Sequence, residues 1–489
     1  MSSGRPSSRR GHYTGAVKTF RPWLVVPLAV AALAAACGRA PAPRPVILVT
    51  IDALRPDRLG PYGGPLPTPA FDRAAREGAL VETATTPIGR TTPGIGSILT
   101  GLHPLAHGAD GLGMPLPPKP RTLAELFRAR GYAAAAFVSN YFLRPGLGFE
   151  RGFEIYADPP ARWEGDSGPS VVREALAWTE TVKDRPFFLW VHILEPHWTY
   201  EPEARFAQAA DPDWRGDDGE AARAARGFPP TGALLFGADK ALPPRSLEHV
   251  RRMYDGEVLA ADAALGALLD GLARQGILDR AVLLVGADHG ESLGEHGYFF
   301  GHGEYAYEES LRVPLLVRAP GLVPAGARLA GNVGNADVAP TLLDLAGAPA
   351  APESFDGLDL APLLRAGGRQ AAPARAFVHL SDHELVHAEN PRRGPAGRAG
   401  RWRALREGTM VLVRVPRAAG GFDDELYDLA ADPRQRNNLA AARPDDVRRM
   451  ARRLDDELRP LLARFAASGA AEAPEAPDLE RLKGLGYAR

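Results

Sequence analysis

The 489-residue sequence holds a single cysteine, Cys37. One cysteine excludes a disulfide within the chain and a cysteine-based zinc site, so a metal would have to be held by oxygen and imidazole. A charge excess is missing too: 58 Lys and Arg stand against 59 Asp and Glu, a formal net charge of −1. With no basic field, nucleic acid is not an expected partner. No apolar run is long enough for a spanning helix. Trp23–Ala36 has 14 residues and contains Pro27, against the ~20 that a bilayer requires. Loop-forming residues are plentiful, 53 Gly and 46 Pro, yet apolar patterns persist between them. With 45% hydrophobic and 24% charged residues the composition is that of a globular protein with many ordered loops.

Residues 1–36 carry Arg5, Arg9, Arg10, Lys18 and Arg21, no acid, and then the short apolar run. A basic segment, a short apolar core and small residues before a break describe a secretory signal over 1–36. Cys37 follows Leu33-Ala34-Ala35-Ala36 directly. This resembles a bacterial lipobox, with the leucine one place further from the cysteine than usual. The expectation is cleavage before Cys37, lipidation of Cys37 and a Pro- and Ala-rich tether over 37–44. The mature chain would then be a lipoprotein of the cell envelope, periplasm-facing or on the surface, with the membrane as a partner through its lipid. A plain signal peptide with an incidental cysteine, and hence a secreted protein, is the alternative.

Val46–Ile51 (VILVTI) is apolar throughout, as in a strand buried on both faces, and ends in Asp52. Pro69–Gly78, Thr122–Gly131, Val171–Val182, Ser246–Gln275 and Asp337–Ala346 read as helices. Between them 133–138, Phe187–Ile193, Ala281–Gly286 and Pro314–Val317 read as strands. Alternating helices and apolar strands predict an α/β sandwich with a largely parallel central sheet. In such sheets ligands sit beyond the carboxyl ends of the strands. Asp52, His197 and Asp288-His289 all follow predicted strands. Residues 200–245 are acidic and rich in Pro and Gly, a surface insertion. From about 374 short strands and a terminal helix, Pro444–Ala467, predict a smaller α+β subdomain over 374–489, after a catalytic domain over 45–373.

Two clusters carry chemistry. In the first, Thr91-Thr92-Pro93-Gly94 leads into a short helical pattern expected to begin near Pro93. A hydroxyl at a helix N-terminus faces unpaired N–H groups and suits a nucleophile that carries an anionic ester. The commoner role of such a threonine is to cap the helix. The second cluster, Asp288-His289-Gly290-Glu291, continues through Glu295 and His296 to His302. Carboxylates and imidazoles at a strand end among glycines suit a hard or borderline metal. Asp255, Glu257 and Asp262 lie on the long helix, and a solvated or capping face is expected there in preference to a second metal. His103 and His107 are expected to pack loops, and His296 to order its own.

Ile51–Gly60 (IDALRPDRLG), Thr68–Arg73, Thr91–Gly101 with Thr-Thr-Pro and Ser-Ile-Leu-Thr-Gly, Glu195-Pro196-His197 and Asp288–Glu291 together resemble the sulfatase family of the alkaline phosphatase superfamily. Tyr254–Glu257, Tyr307–Pro314, Asp337–Asp344, Glu425–Leu429 and Leu482–Tyr487 extend the resemblance, in order, over about 45–440 and the C-terminus. It implies an alkaline phosphatase/sulfatase-like fold and one divalent metal ion, Ca, Mg, Mn or Zn. Asp52, Asp288 and His289 would be ligands, with Thr91 at the nucleophile position and also touching the metal. His197 and His302 resemble residues that bind the substrate or serve its leaving group, and Asn140 lies near where many sulfatases carry a lysine.

The departures are as informative. The family pattern is Cys/Ser-x-Pro-x-Arg, whose first residue becomes formylglycine; here the first residue is Thr91 and the arginine position is Ile95. Threonine does not yield that aldehyde and resembles superfamily members that act on phosphate esters. Ala53 replaces a second aspartate, which leaves fewer oxygen ligands and points toward a transition metal instead of calcium. Arg90 is the candidate to supply the anion contact that Ile95 cannot make. The sequence thus predicts a metal-dependent hydrolase of sulfate or phosphate esters acting on an anionic ester. A phosphotransferase that passes a phospho-headgroup to envelope glycan or lipid, and a non-catalytic binding protein with a degenerate site, are the rivals.

Overall fold

A computed structural model describes residues 1–2, 4, 43–157, 167–215, 232–348, 355–384 and 386–468. Cys37, most of the signal and of the tether, and the Leu482–Tyr487 motif lie outside the described residues. The described residues from 43 to 468 form one compact unit.

The core of that unit is a ten-stranded sheet. Its centre is β1 (Val46–Ile51), flanked by Val282–Ala287 on one side and Phe187–Ile193 on the other. In chain order the strands up to this point are β1, β2 (Ala79–Thr85), β3 (Ala133–Phe137), β4 (Ile155–Ala157), β5 (Phe187–Ile193) and β6 (Val282–Ala287). β1 pairs in parallel with both β5 and β6, and all three are buried along their full length, as their predominantly apolar sequences, broken only by Thr50 and His192, require. Leu315–Arg318 runs against its neighbours β6 and β2. The sheet is largely parallel, and the parallel arrangement brings the carboxyl ends of β1, β5 and β6 to one edge.

Helices Ser167–Val182 and Pro244–Arg274 cover the sheet. Within 200–245 the described residues form three short helices, Ala204–Ala210, Gly232–Leu235 and Ala238–Ala241. A second, antiparallel sheet takes Ala376–Leu380, Arg403–Glu407, Met410–Pro416 and Phe422–Asp428 in that order. Helix Pro444–Ala467 buries Met450, Leu454 and Leu458 against Leu405, Leu412 and Leu426 of this sheet. Ile88 and Leu105 of the first part join the same cluster, and Leu380 N donates to Pro87 O at 2.9 Å. The second sheet is thereby fixed a few residues ahead of the Thr91 helix.

Candidate active site

Three strand ends and one helix start meet at the sheet edge. Asp52 ends β1, and its backbone N–H donates to Ile193 O at the end of β5 (2.9 Å). Asp288 and His289 follow β6. The helix runs Thr91–Thr100, starting ahead of the Pro93 expected from the sequence. Pro93 stands in its first turn, where a missing N–H breaks no intrahelical bond. The helix approaches so closely that a side chain on Gly94 would put its Cβ 2.5 Å from Asp288 O.

Neither threonine caps this helix. Arg90 is the N-cap residue and makes no side-chain cap bond. Thr92 Oγ1 donates to Gly111 O at 2.9 Å and accepts from Gly113 N at 3.0 Å. Thr91 Oγ1 instead lies 3.4 Å from His289 Nε2 and accepts from Asn140 Nδ2 at 3.4 Å. Asn140 Nδ2 also donates to Asp52 Oδ2 at 2.5 Å, and Asn140 Oδ1 accepts from Phe142 N. The carboxamide is therefore committed to Asp52 and Thr91.

Hydrogen bonds occupy one side of each acidic group and leave the other bare. Asp288 Oδ1 accepts from His289 N at 2.9 Å and Ala53 N at 3.4 Å, while the buried Asp288 Oδ2 has no partner. Asp52 Oδ2 takes Asn140, and the buried Asp52 Oδ1 has no hydrogen-bond partner. His289 Nδ1 lies 2.9 Å from Gly290 O, which fixes the hydrogen there and turns the Nε2 lone pair inward. That Nε2 is 3.2 Å from Asp52 Oδ1 and 3.6 Å from Asp288 Oδ2. Two orphaned carboxylate oxygens and one hydroxyl thus lie within 3.6 Å of one imidazole nitrogen, a donor set whose chemistry fits a divalent cation.

The electrostatics ask for the same thing. Burial and the neighbouring Asp52 push Asp288 up to about 6. Burial opposes charge on His289, yet Asp288 and Asp52 push it up to about 9, so without a cation the ring takes a second proton, on Nε2. Burial also works against the Asp52 carboxylate, but His197, His192 and His289 hold it well below the usual range.

The rings of His302 and His197 complete the site. His302 lies 4.1 Å from His289 and 5.1 Å from His197, centre to centre. His302 Nδ1 bonds Glu291 Oε1 at 3.0 Å. His197 Nδ1 bonds Trp198 O at 2.6 Å. Burial lowers the pKa of both, and for His302 the charges of His289 and Arg90 add to it. Arg90 is anchored by Asp382, Nε to Oδ2 at 3.0 Å, from the residue pair that follows the first strand of the second sheet. Gly303, at φ +86°, makes room for it, since a Cβ there would stand 2.2 Å from Arg90 Nε. Ile95, at the family's arginine position, is fully buried in the core.

The structure adds His192 and Asp382 to the residues that the sequence points to, and makes Glu291, already part of the second cluster, the partner of His302 Nδ1. A lone polar residue inside the apolar Phe187–Ile193 is the available signal for His192, and Asp382 gives none. The three acids of the long helix are buried, not solvated. Asp262 caps helix Pro69–Glu77 through Ala70 N and Phe71 N, and Asp255 pairs with Arg58 and Arg252. Glu257 is buried beside Glu195. Instead of packing loops, His103 caps the short helix Pro104–His107 by accepting from Leu105 N, and His107 packs from that helix against Gly96 and Ser97 of the Thr91 helix, while His296 stacks on Tyr307 at 3.6 Å.

The sulfatase family model matches residues 44–348, and that of the N-sulphoglucosamine sulphohydrolase C-terminal region matches 294–463. The chain is 25% identical to an N-acetylglucosamine-6-O-sulfatase of Bacteroides thetaiotaomicron, over 85% of this chain and 86% of the relative. It is 24% identical to an ulvan-active sulfatase of Formosa agariphila, over 81% and 76%. Among solved structures it resembles a protein in complex with its substrate D-glucosamine-2-N,6-O-disulfate. There the TM-score is 0.67 at 21% identity, covering 88% of this chain and 100% of that one. It also resembles the phosphonate monoester hydrolase of Agrobacterium radiobacter, with TM-score 0.67 at 22% identity over 87% and 96%.

Proposed function

The chain belongs to the sulfatase family, and from that premise we propose a metal-dependent hydrolase of sulfate or phosphate esters in which Thr91 is the nucleophile. The observation that carries this reading is the bare donor atoms of Asp52, Asp288 and His289 gathered around Thr91 Oγ1. A bound divalent ion supplies Lewis-acid chemistry there, lowering the pKa of the Thr91 hydroxyl and neutralising an ester oxygen. Thr91 Oγ1 forms the new bond to sulfur or phosphorus as the bond to the leaving oxygen breaks. Asn140, donating to the same Oγ1, holds it in line. Arg90, anchored by Asp382, supplies the anion contact that the family places at residue 95. The proton that Thr91 gives up ends on the leaving oxygen, carried there by His302 or His197. Water then releases the acid and restores Thr91.

Threonine at 91 favours phosphate esters alongside sulfate esters, because no formylglycine chemistry is available to it. A mere binder has no use for a hydroxyl set against bare ligands. The basic N-terminal segment, the short apolar run and the small residues before Cys37 support lipidation at Cys37 and an envelope location. Turnover of chromogenic sulfate, phosphomonoester and phosphodiester substrates, each with added Mg, Mn, Ca or Zn, tests the reading. Metal-dependent cleavage of at least one phosphate and one sulfate substrate is expected; no turnover with any combination overturns it.

A further inference from the structure

Strand β5 is apolar except for His192, which stands opposite Thr50 in the β1–β5 ladder. Both are fully buried, so both ring nitrogens of His192 need partners. One chain of side chains supplies them. Trp190 Nε1 lies 2.9 Å from Thr50 Oγ1, Thr50 Oγ1 lies 2.8 Å from His192 Nδ1, and His192 Nε2 lies 3.3 Å from Asp52 Oδ2.

The direction of this chain is set at its far end. An indole nitrogen only donates, so Thr50 Oγ1 accepts from Trp190. Among the described residues the Thr50 hydroxyl has one further partner, His192 Nδ1, and its proton goes there. His192 Nδ1 thus accepts, the ring hydrogen sits on Nε2, and Nε2 donates to Asp52 Oδ2. A ring nitrogen bearing hydrogen has no lone pair for a metal. His192 lies close enough to Asp52 and Asp288 for the three to surround one ion, but its tautomer keeps it out of the ligand set.

Resting on the metal-centre reading above, we propose that His192 is a positioning residue for the metal carboxylate, locked as a donor by Trp190 and Thr50. With Asn140 and His192 both on Oδ2, the Asp52 carboxylate cannot turn, and Oδ1 is held toward the ion.

The test uses the full chain with 15N-labelled histidine, read by long-range proton–nitrogen correlation before and after Mg addition. The His192 signals are identified by their loss in His192→Gln. The expected pattern is hydrogen on Nε2 in both states. Hydrogen on Nδ1, or an Nε2 signal that moves to the position of a metal-bound nitrogen, overturns the proposal. Calorimetry with Mn gives a second readout. Thr50→Val and His192→Leu are expected to weaken Mn binding by about 10- to 100-fold, as removal of a ligand's supporting hydrogen bond does. His192→Gln, whose amide still donates, recovers most of that affinity. Unchanged Mn affinity in Thr50→Val and His192→Leu also overturns the proposal. Absence of any cation binding by the wild type overturns the metal-centre reading instead, and the tautomer of the metal-free chain still decides this one.

Discussion

The two walls of the site are built differently. The metal wall comes from the ends of adjacent parallel strands, with Asp52, Asp288 and His289 fully buried and their outer atoms tied down by near neighbours. The anion wall is assembled from loops. His197, His302 and Arg90 come from three segments, and Arg90 is anchored by an aspartate 292 residues away beside the second sheet. On the proposed function, rigid strand ends place the ligands, whereas the substrate side depends on docking of the C-terminal sheet. Damage to the first wall should remove the metal and all activity; damage to the second should spare the metal and weaken the handling of substrate.

The largest effect is expected at Asp288. Asp288→Asn removes a ligand charge and should lose the metal by elemental analysis, with kcat/KM falling by about a thousandfold or more, on the order of 4 kcal/mol. Full occupancy in this variant would break the distinction between the walls.

Next comes Arg90→Ala, expected to lower kcat/KM by about a hundredfold at full metal occupancy, the effect of removing one charged group from the transition state. Asp382→Asn should go the same way by about tenfold, because it loosens Arg90 without removing it. A metal deficit in either variant would show that the walls are not separable.

Metal affinity should depend on pH through the first wall alone. His289 holds its proton up to about 9 and Asp288 up to about 6. Both must be deprotonated to bind a cation, so affinity rises with pH. The rise should be about tenfold per unit between 6 and 9, where one proton is displaced, and steeper below 6, where Asp288 adds a second. Calorimetric titration across that range checks the slope. A flat profile would mean that His289 is not a ligand.

The smallest effect belongs to Thr92→Ala. It removes two loop hydrogen bonds and should cost about 1–2 kcal/mol of stability by denaturant titration, leaving the metal and most of the turnover intact.

The same contrast governs what the sequence discloses. The run Phe187–Ile193 and the helix Pro444–Ala467 have the bounds expected of them, because a doubly buried strand is apolar throughout and a one-sided helix is amphipathic. Ala327–Gly334 contains two glycines and mixes buried and exposed positions without regular alternation, and Phe422–Asp428 is acidic on a partly exposed edge of the antiparallel sheet; neither has a pattern that separates it from a loop. The proposed metal wall can be picked out because Asp52 and Asp288-His289 each stand directly after an apolar strand, inside a short motif. His192 is hidden, since a buried histidine in an apolar strand reads as core. Asp382 is hidden because its partner lies across the fold, and no local spacing records that pairing.

The most direct test of the whole account is the chemical state of residue 91 during turnover. Rapid quenching with a good substrate, followed by peptide mass analysis, should find unmodified threonine at rest and a sulfo- or phospho-ester on Thr91 while substrate lasts, with neither turnover nor adduct in Thr91→Ala. An adduct on another residue, or Thr91→Ala turning over within about tenfold of wild type, would contradict the account.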